Sequence, residues 1–272
     1  MMPARFPERI VCLTEETTET LYLLGEERRI VGISGFTVRP PRARREKPRI
    51  SAFTSANIPR ILELKPDLVL GFSDLQADIA AELTRRGANV HIFNQRSVQE
   101  ILDTIVLLAA MVGARAAGEK LVAELERGLS GVREQAARDP KPRPKVYFEE
   151  WDEPMISGIR WVSELVSIAG GDDVFPQRAQ SQDAKGRVVA EGQEVIAAQP
   201  DIIIGSWCGK KFRPEQVAAR TGFDAIPAVR DEYLYEVKSA LILQPGPAAL
   251  TDGLNALRKI IAEWHSARGA SK

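Results

Sequence analysis

Residues 200–212, Pro-Asp-Ile-Ile-Ile-Gly-Ser-Trp-Cys-Gly-Lys-Lys-Phe, put an indole, a thiol and two ammonium groups directly after a run of isoleucines. Those side chains suit three chemistries: nucleophilic catalysis, metal ligation, or the cradling of a ligand. Lys210 and Lys211 would lower the pKa of an accessible Cys208 thiol and favour thiolate. No histidine lies near Cys208 in sequence, which weighs against a nucleophile. The remaining readings of Cys208 are a small buried hydrophobe and a pocket thiol touching the metal of a bound cofactor. His91, beside Ile92 in an alternating apolar stretch, reads as a strand histidine rather than an axial metal ligand. Glu149, Glu150, Asp152 and Glu153 flank Trp151 and could perform acid–base work. The favoured reading is electrostatic instead: the cluster answers Arg39, Arg160 and Lys210 across a cleft. Trp161 reads as packing between lobes.

Composition narrows the classes. Among 272 residues, Lys+Arg and Asp+Glu both number 37, so the formal charge is zero and a phosphate backbone is not the expected partner. Two cysteines and two histidines without CxxC or HxxxH spacing argue against a protein-held metal centre. The first residues lack the apolar core of a secretory signal, and no run of about 20 apolar residues could span a membrane. As the sequence stands, the expected compartment is the cytoplasm, or the periplasm if a leader has been trimmed.

The elements that must position these residues follow from periodicity. Residues 9–13 read as a buried strand, followed by a helix with Thr14 as N-cap and Gly25 as its stop. A second strand spans 30–36. The Arg-rich run 38–49 carries prolines that forbid regular structure, and it reads as a solvated loop. Residues 97–113 and 114–138 have helical spacing, and Asp139–Lys145 reads as a stiff proline linker before a strand at 145–150. Residues 233–237 read as a late strand, with an amphipathic helix at about 248–264.

One unit occurs twice. Ile61–Phe72 (ILELKPDLVLGF) and Val195–Trp207 (VIAAQPDIIIGSW) share an apolar helix end, Pro-Asp, three aliphatics and a glycine. The proline ends the helix. Three aliphatics make a strand covered on both faces, as in a parallel sheet. The glycine is expected to turn the chain sharply at the strand's carboxyl end. Two such units imply two α/β lobes.

Together with the opening RIVCLTEETTETLYLLGEERRIVGISGF, the stretch KPRISAFTSANIPRILELKPDLVLGF and the later PMISGIRWVSELVSIAGGDDVF, these repeats resemble the helical-backbone periplasmic binding proteins. Members of that family bind vitamin B12, ferric siderophores or haem for ABC importers. The resemblance runs from about Arg9 to Ile261. It implies an α/β fold of two Rossmann-like lobes with parallel sheets, 1–112 and 141–272. A rigid backbone helix at 113–140 would join them, and the ligand would lie in the cleft between. It also implies a monomer with a small-molecule ligand, no intrinsic cofactor and no catalytic residues.

The ligand expected is cobalamin or another corrinoid. A ferric siderophore or haem is the alternative, and an enzyme acting on a tetrapyrrole or metal chelate is the reading from another class. Strand ends nominate the ligand-binding residues: Phe36, Arg39 and Phe53, then Phe72 and Asn94, then Glu150 and Trp151, and finally Trp207, Cys208, Lys210 and Gln244. The phenylalanines fall where B12-binding relatives carry pocket aromatics, and flat apolar faces suit a large planar ring. Arg39, Lys210 and Lys211 would instead suit an anionic siderophore. Importer-docking members carry one surface glutamate per lobe. The first of these positions is Pro59 here and the second is Gln193, so an ABC permease is a partner in doubt. Binding without delivery to a standard importer, inside the cell, is the expectation drawn from this.

Overall fold

The computed structural model describes residues 6–269. Ten strands are found among the described residues: β1 Ile10–Cys12, β2 Ile30–Ser34, β3 Arg49–Ser51, β4 Leu68–Phe72, β5 Val90–Phe93, β6 Lys145–Asp152, β7 Met155–Ser157, β8 Asp172–Asp173, β9 Ile202–Gly205 and β10 Leu234–Glu236. They form two five-stranded sheets. The first is parallel throughout, in the order β3-β2-β1-β4-β5. The second runs β10-β9-β6-β7 with β8 also on β6, and only β7 is antiparallel.

The chain divides into two compact units. The first comprises the chain to Gln95, with Gln99–Leu125 and Pro245–Pro247; the second holds Arg96–Val98, Glu126–Gln244 and the chain from Ala248. The division falls inside the helix Arg115–Arg138, after Leu125, rather than on either side of it at 112 and 140. Each unit buries its own hydrophobic core: aliphatic Val11, Leu13, Ile50, Ile61 and Val69 in the first, and Tyr147, Ile203, Phe212 and Phe223, mostly aromatic, in the second.

The duplicated sequence unit is a duplicated structural clamp. Lys65 and Gln199, each just before the proline, take left-handed φ values of 47° and 49°. The helices Ile58–Glu63 and Gly192–Ala198 therefore end at the same place. The aspartate that follows then secures the amino end of the neighbouring strand. Asp67 accepts the backbone N–H groups of Glu8 (2.8 Å) and Arg9 (3.0 Å), and its own N–H donates to Arg9 O. Asp201 accepts the N–H of Lys145 at 2.9 Å and donates its own to Lys145 O. The same dipeptide thus pins β4 against β1 and β9 against β6.

The glycine of the unit is not a turn residue. Neither Gly71 nor Gly205 has a positive φ, and both lie within strands. Close approach explains them: a Cβ on Gly71 would meet Gln76 Oε1 at 2.6 Å and Ile92 Cδ1 at 2.7 Å, and one on Gly205 would enter the Phe212 ring. The Arg-rich run also departs from expectation. It contains the helix Ala43–Glu46 and ends at Arg49, the first residue of β3, and Arg42 stacks over Tyr22 at 4.6 Å while pairing with Glu27. Unpaired, those cations would repel; carboxylates and a ring face make ordered backbone affordable there.

Candidate functional site

All strands of the first sheet end on one side, and β1 is the strand at which the order reverses. In open parallel sheets the crevice outside the carboxyl ends at such a point is the usual ligand position. Here the chain leaves β1 and enters the helix Glu15–Leu23, whose first turn carries Glu15 and Glu16. Eight consecutive residues, Glu15–Tyr22, are buried. Thr14 occupies the N-cap position, but its hydroxyl pairs with that of Thr17 at 3.0 Å instead of capping the helix backbone.

The acids at this spot are unequally served. Glu19 accepts from Arg39 at 2.8 Å, and Glu15 accepts the Val38 N–H at 3.1 Å. Glu16 Oε1 and Thr37 Oγ1 are buried with no hydrogen-bond partner. Burial is the main cause that pushes Glu15 up to about 8, with Glu16 and Glu19 adding to it and the Val38 N–H opposing. Burial likewise pushes Glu16 up to about 7, against the Thr14 hydroxyl. At neutral pH Glu15 thus mostly holds its proton and Glu16 holds one about half the time. Cys12, below them, is a buried thiol pushed up to about 12, which removes it from nucleophilic chemistry.

Around this point the nominated residues of the first unit scatter. Phe36 follows β2 and is 54% exposed, a flat apolar face in the open. Phe53 is half-buried and its carbonyl accepts from Gln76 Nε2 at 2.8 Å. Phe72, by contrast, is buried in β4 as core. Arg39 is committed to Glu19, and Asn94 is exposed just past β5. Gln76, which sequence reading missed, ties the site together: its Oε1 accepts the Phe72 N–H at 3.0 Å while Nε2 reaches both Phe53 O and Leu13 O. His91 is half-buried in β5 against the Phe93 ring at 4.4 Å, and burial lowers its pKa.

In the second unit the ends of β6 and β9 carry the residues of the opening stretch. Trp207 does not face outward as a ligand contact. It is 3% exposed, and its indole N–H donates to Glu149 Oε1 at 3.0 Å. Glu149, itself fully buried, also receives Arg220 Nη1 at 2.6 Å, Arg220 Nη2 at 2.9 Å and the Tyr147 hydroxyl at 3.1 Å. A buried carboxylate with four donors is a structural anchor. Glu150 is likewise committed, to the buried Arg187.

Lys210 pairs with Asp152 and lies 4.3 Å from the Trp151 ring centroid and 5.1 Å from that of Trp207. Gly209, with φ of 80°, makes the turn that brings it there. Of the three cations expected to answer the acidic cluster, only Lys210 does so; Arg160 pairs with Glu164 on its own helix. Cys208 is exposed, not a buried hydrophobe. Trp161 is buried inside the second unit, where its indole N–H donates to Ile242 O at 2.8 Å. Gln244 is half-buried after the short helix Ser239–Ile242. Among the described residues no cluster of His, Cys, Asp and Glu could hold a metal ion. Lys210→Ala is expected to cost no more than about 1 kcal/mol, because the pair is partly exposed, yet to change tryptophan fluorescence as the cation leaves two indoles. Urea denaturation with emission spectra checks both.

Each unit by itself leaves aromatic side chains at its strand ends: Phe36 and Phe53 in the first, and Trp151 with its neighbouring ammonium in the second. The chain is 30% identical over 206 residues to a vitamin B12-binding protein of Vibrio cholerae, covering 74% of this chain and 71% of that one. It is 25% identical over 263 residues to an uncharacterised ABC transporter substrate-binding lipoprotein, YvrC, of Bacillus subtilis, covering 94% and 80%. Its fold superposes on a periplasmic heme binding protein of Pseudomonas aeruginosa with a TM-score of 0.81 at 18% identity, covering 94% and 93% of the two chains. The family model for periplasmic binding proteins matches residues 10–241, and the chain belongs to that family.

Proposed function

We propose that this chain binds a corrinoid, cobalamin or a close analogue, as the substrate-binding component of an ABC-type system. The observation that carries the ligand class is the fate of the charges beside the aromatics. Arg39 is neutralised by Glu19, Lys210 by Asp152 and Glu150 by Arg187, while Phe36 stays open. An anionic siderophore would need several cations free to receive it, and of Arg39, Lys210 and Lys211 only the exposed Lys211 has no ion pair among the described residues. A large ring system with apolar edges and neutral amides needs flat faces and hydrogen-bond donors.

Titration of the purified chain with cyanocobalamin, cobinamide, haemin and a ferric catecholate tests this. Micromolar binding of a corrinoid, at one per chain and returned unchanged, is the expected result. Phe36→Ala should weaken it roughly tenfold through loss of a stacked face, whereas Cys208→Ser should leave it unaltered. If no corrinoid binds at micromolar concentration, the ligand assignment fails; if the ligand is turned over, the binding-protein class fails.

We further propose that the chain does not dock a permease through paired glutamates. Pro59 and Arg60 are exposed in the first turn of the helix Ile58–Glu63, and Gln193 is exposed at the matching place in Gly192–Ala198. The first of these turns offers a cation where an acid would meet arginines. Stable capture of a B12-type permease by the wild-type chain would refute that reading.

A further inference from the structure

A cavity lies in the second unit, away from the residues discussed so far. It has a volume of about 410 Å³ and opens where the segment Asp139–Arg143 leads into the amino end of β6, whereas Trp151 lies toward the opposite end of that strand. Its walls come from the last turns of the helix Arg115–Arg138, this segment, and the helix Leu254–Gly269.

The charges in it do not balance. Lys141, Arg143, Arg258 and Lys259 line the cavity with a single acid, Asp139. Arg143 is spent on structure: it donates to Asp172, to Ser167 O and to Gly171 O, closing the end of the helix Arg160–Ile168. The other three are not. Arg258 has only the neutral Gln135 Oε1, at 2.6 Å. Lys259 makes only a long, exposed ion pair, with Glu263 one turn on at 3.9 Å and outside the lining. Among the described residues Lys141 has no ion pair and bonds through its backbone N–H alone. Had these cations served only to neutralise helix ends, they would reach carbonyls as Arg143 does.

We propose that this cavity binds a small multivalent oxyanion bearing phosphate or carboxylate groups. Lys141, Arg258 and Lys259 supply the cations, Gln135 and Asn255 the neutral polar groups, and Ile261 part of the apolar wall. A volume of this size sits at the small end of ligand sites, about 300–1,000 Å³. It suits an ion of pyrophosphate or citrate dimensions and not a tetrapyrrole.

His265 reports on occupancy. Its ring lies 5.1 Å from that of Trp264, and its pKa is lowered by burial and then by Lys141, with Asp139 opposing. The charged groups facing it across the cavity are Asp139, Lys141 and Arg143 from the segment and Arg258 and Lys259 from its own helix, while the long helix contributes only neutral residues. A bound anion reverses the sign of its surroundings, so binding takes up a proton and tightens as pH falls toward 6.

Calorimetric titration of the full chain with pyrophosphate and with citrate, in buffers of different ionisation heat, tests the proposal. Expected are one ion per chain, weakening with salt, and proton uptake that His265→Gln abolishes without abolishing binding. Lys141→Ala and Arg258→Ala, both on exposed or half-exposed side chains, should each weaken binding roughly tenfold. The preferred ion assigns phosphate or carboxylate. If neither ion binds the folded protein at millimolar concentration, or both substitutions leave affinity unchanged, the site does not exist. Corrinoid binding should be indifferent to all three variants, which separates failure here from failure of the ligand assignment above.

Discussion

Arg220→Ala should destabilise the protein by about 3–5 kcal/mol, the range for stranding one partner of a buried ion pair. Glu149 has no exposed side-chain surface, and Arg220 supplies two of its four hydrogen bonds and its only cation partner by contact. Once the guanidinium is gone, a carboxylate is left in an aliphatic and aromatic core with only an indole N–H and a phenol to compensate. Arg220 is itself about one-fifth exposed, so water can reach part of the vacated space and the loss should fall toward the lower end. Urea denaturation measures it. The double variant Arg220→Met/Glu149→Gln should recover most of the loss, because the uncompensated charge is then absent. A single-variant cost below about 1 kcal/mol would mean that Glu149 is stabilised without Arg220. Ligand affinity should fall as well, since Trp207 is held by Glu149 and in turn flanks Lys210 and Trp151.

A second large effect is expected on raising the pH. Glu15 and Glu16 titrate in the unfolded chain near 4.5 and in the folded protein near 8 and 7. Between those values the folded state holds protons that the unfolded state has released. The free energy of unfolding therefore falls as pH rises from about 4.5, by up to roughly 1.4 kcal/mol per unit for each carboxyl, and flattens above the folded pKa values. The two groups repel each other once ionised, so their losses should not simply add. Across pH 5 to 8 a decline of a few kcal/mol is expected from this pair. Glu15→Gln and Glu16→Gln should each reduce the slope and be more stable than wild type at the alkaline end. A wild-type stability curve flat from pH 5 to 8 would contradict the protonated state of both acids.

How much of this was legible beforehand differs by element. The Pro-Asp repeat was visible as helix end and strand start, because a proline restricts its predecessor and three aliphatics need cover on both faces. The clamp made by Asp67 and Asp201 was not, since it joins residues far apart in sequence. The glycine was noticed for the wrong reason. Turning requires only a local conformation, whereas packing against Ile92 or Phe212 requires knowing what crosses it. The burial of the helix Glu15–Leu23 is not legible in its residues. Its string of Thr and Glu has the composition of an exposed surface, yet Glu15–Tyr22 are all buried and only its last residue, Leu23, is exposed.

The candidate site divides in the same way. Residue types alone marked the strand ends as places where aromatics and charges gather, and Phe36 and Trp151 are accessible or half-accessible there. The sequence by itself thus determined the two α/β units, their parallel strands and the aromatic, charge-balanced character of the strand ends. Those properties follow from local steric rules and from short-range apolar patterning. Only the tertiary structure decided which charges are free. Arg39, Glu150 and Lys210 each found an opposite charge, Trp207 turned inward to Glu149, and Cys208 came to the surface. Desolvation and ion pairing depend on what surrounds a group in three dimensions, and a sequence specifies that only through the completed fold.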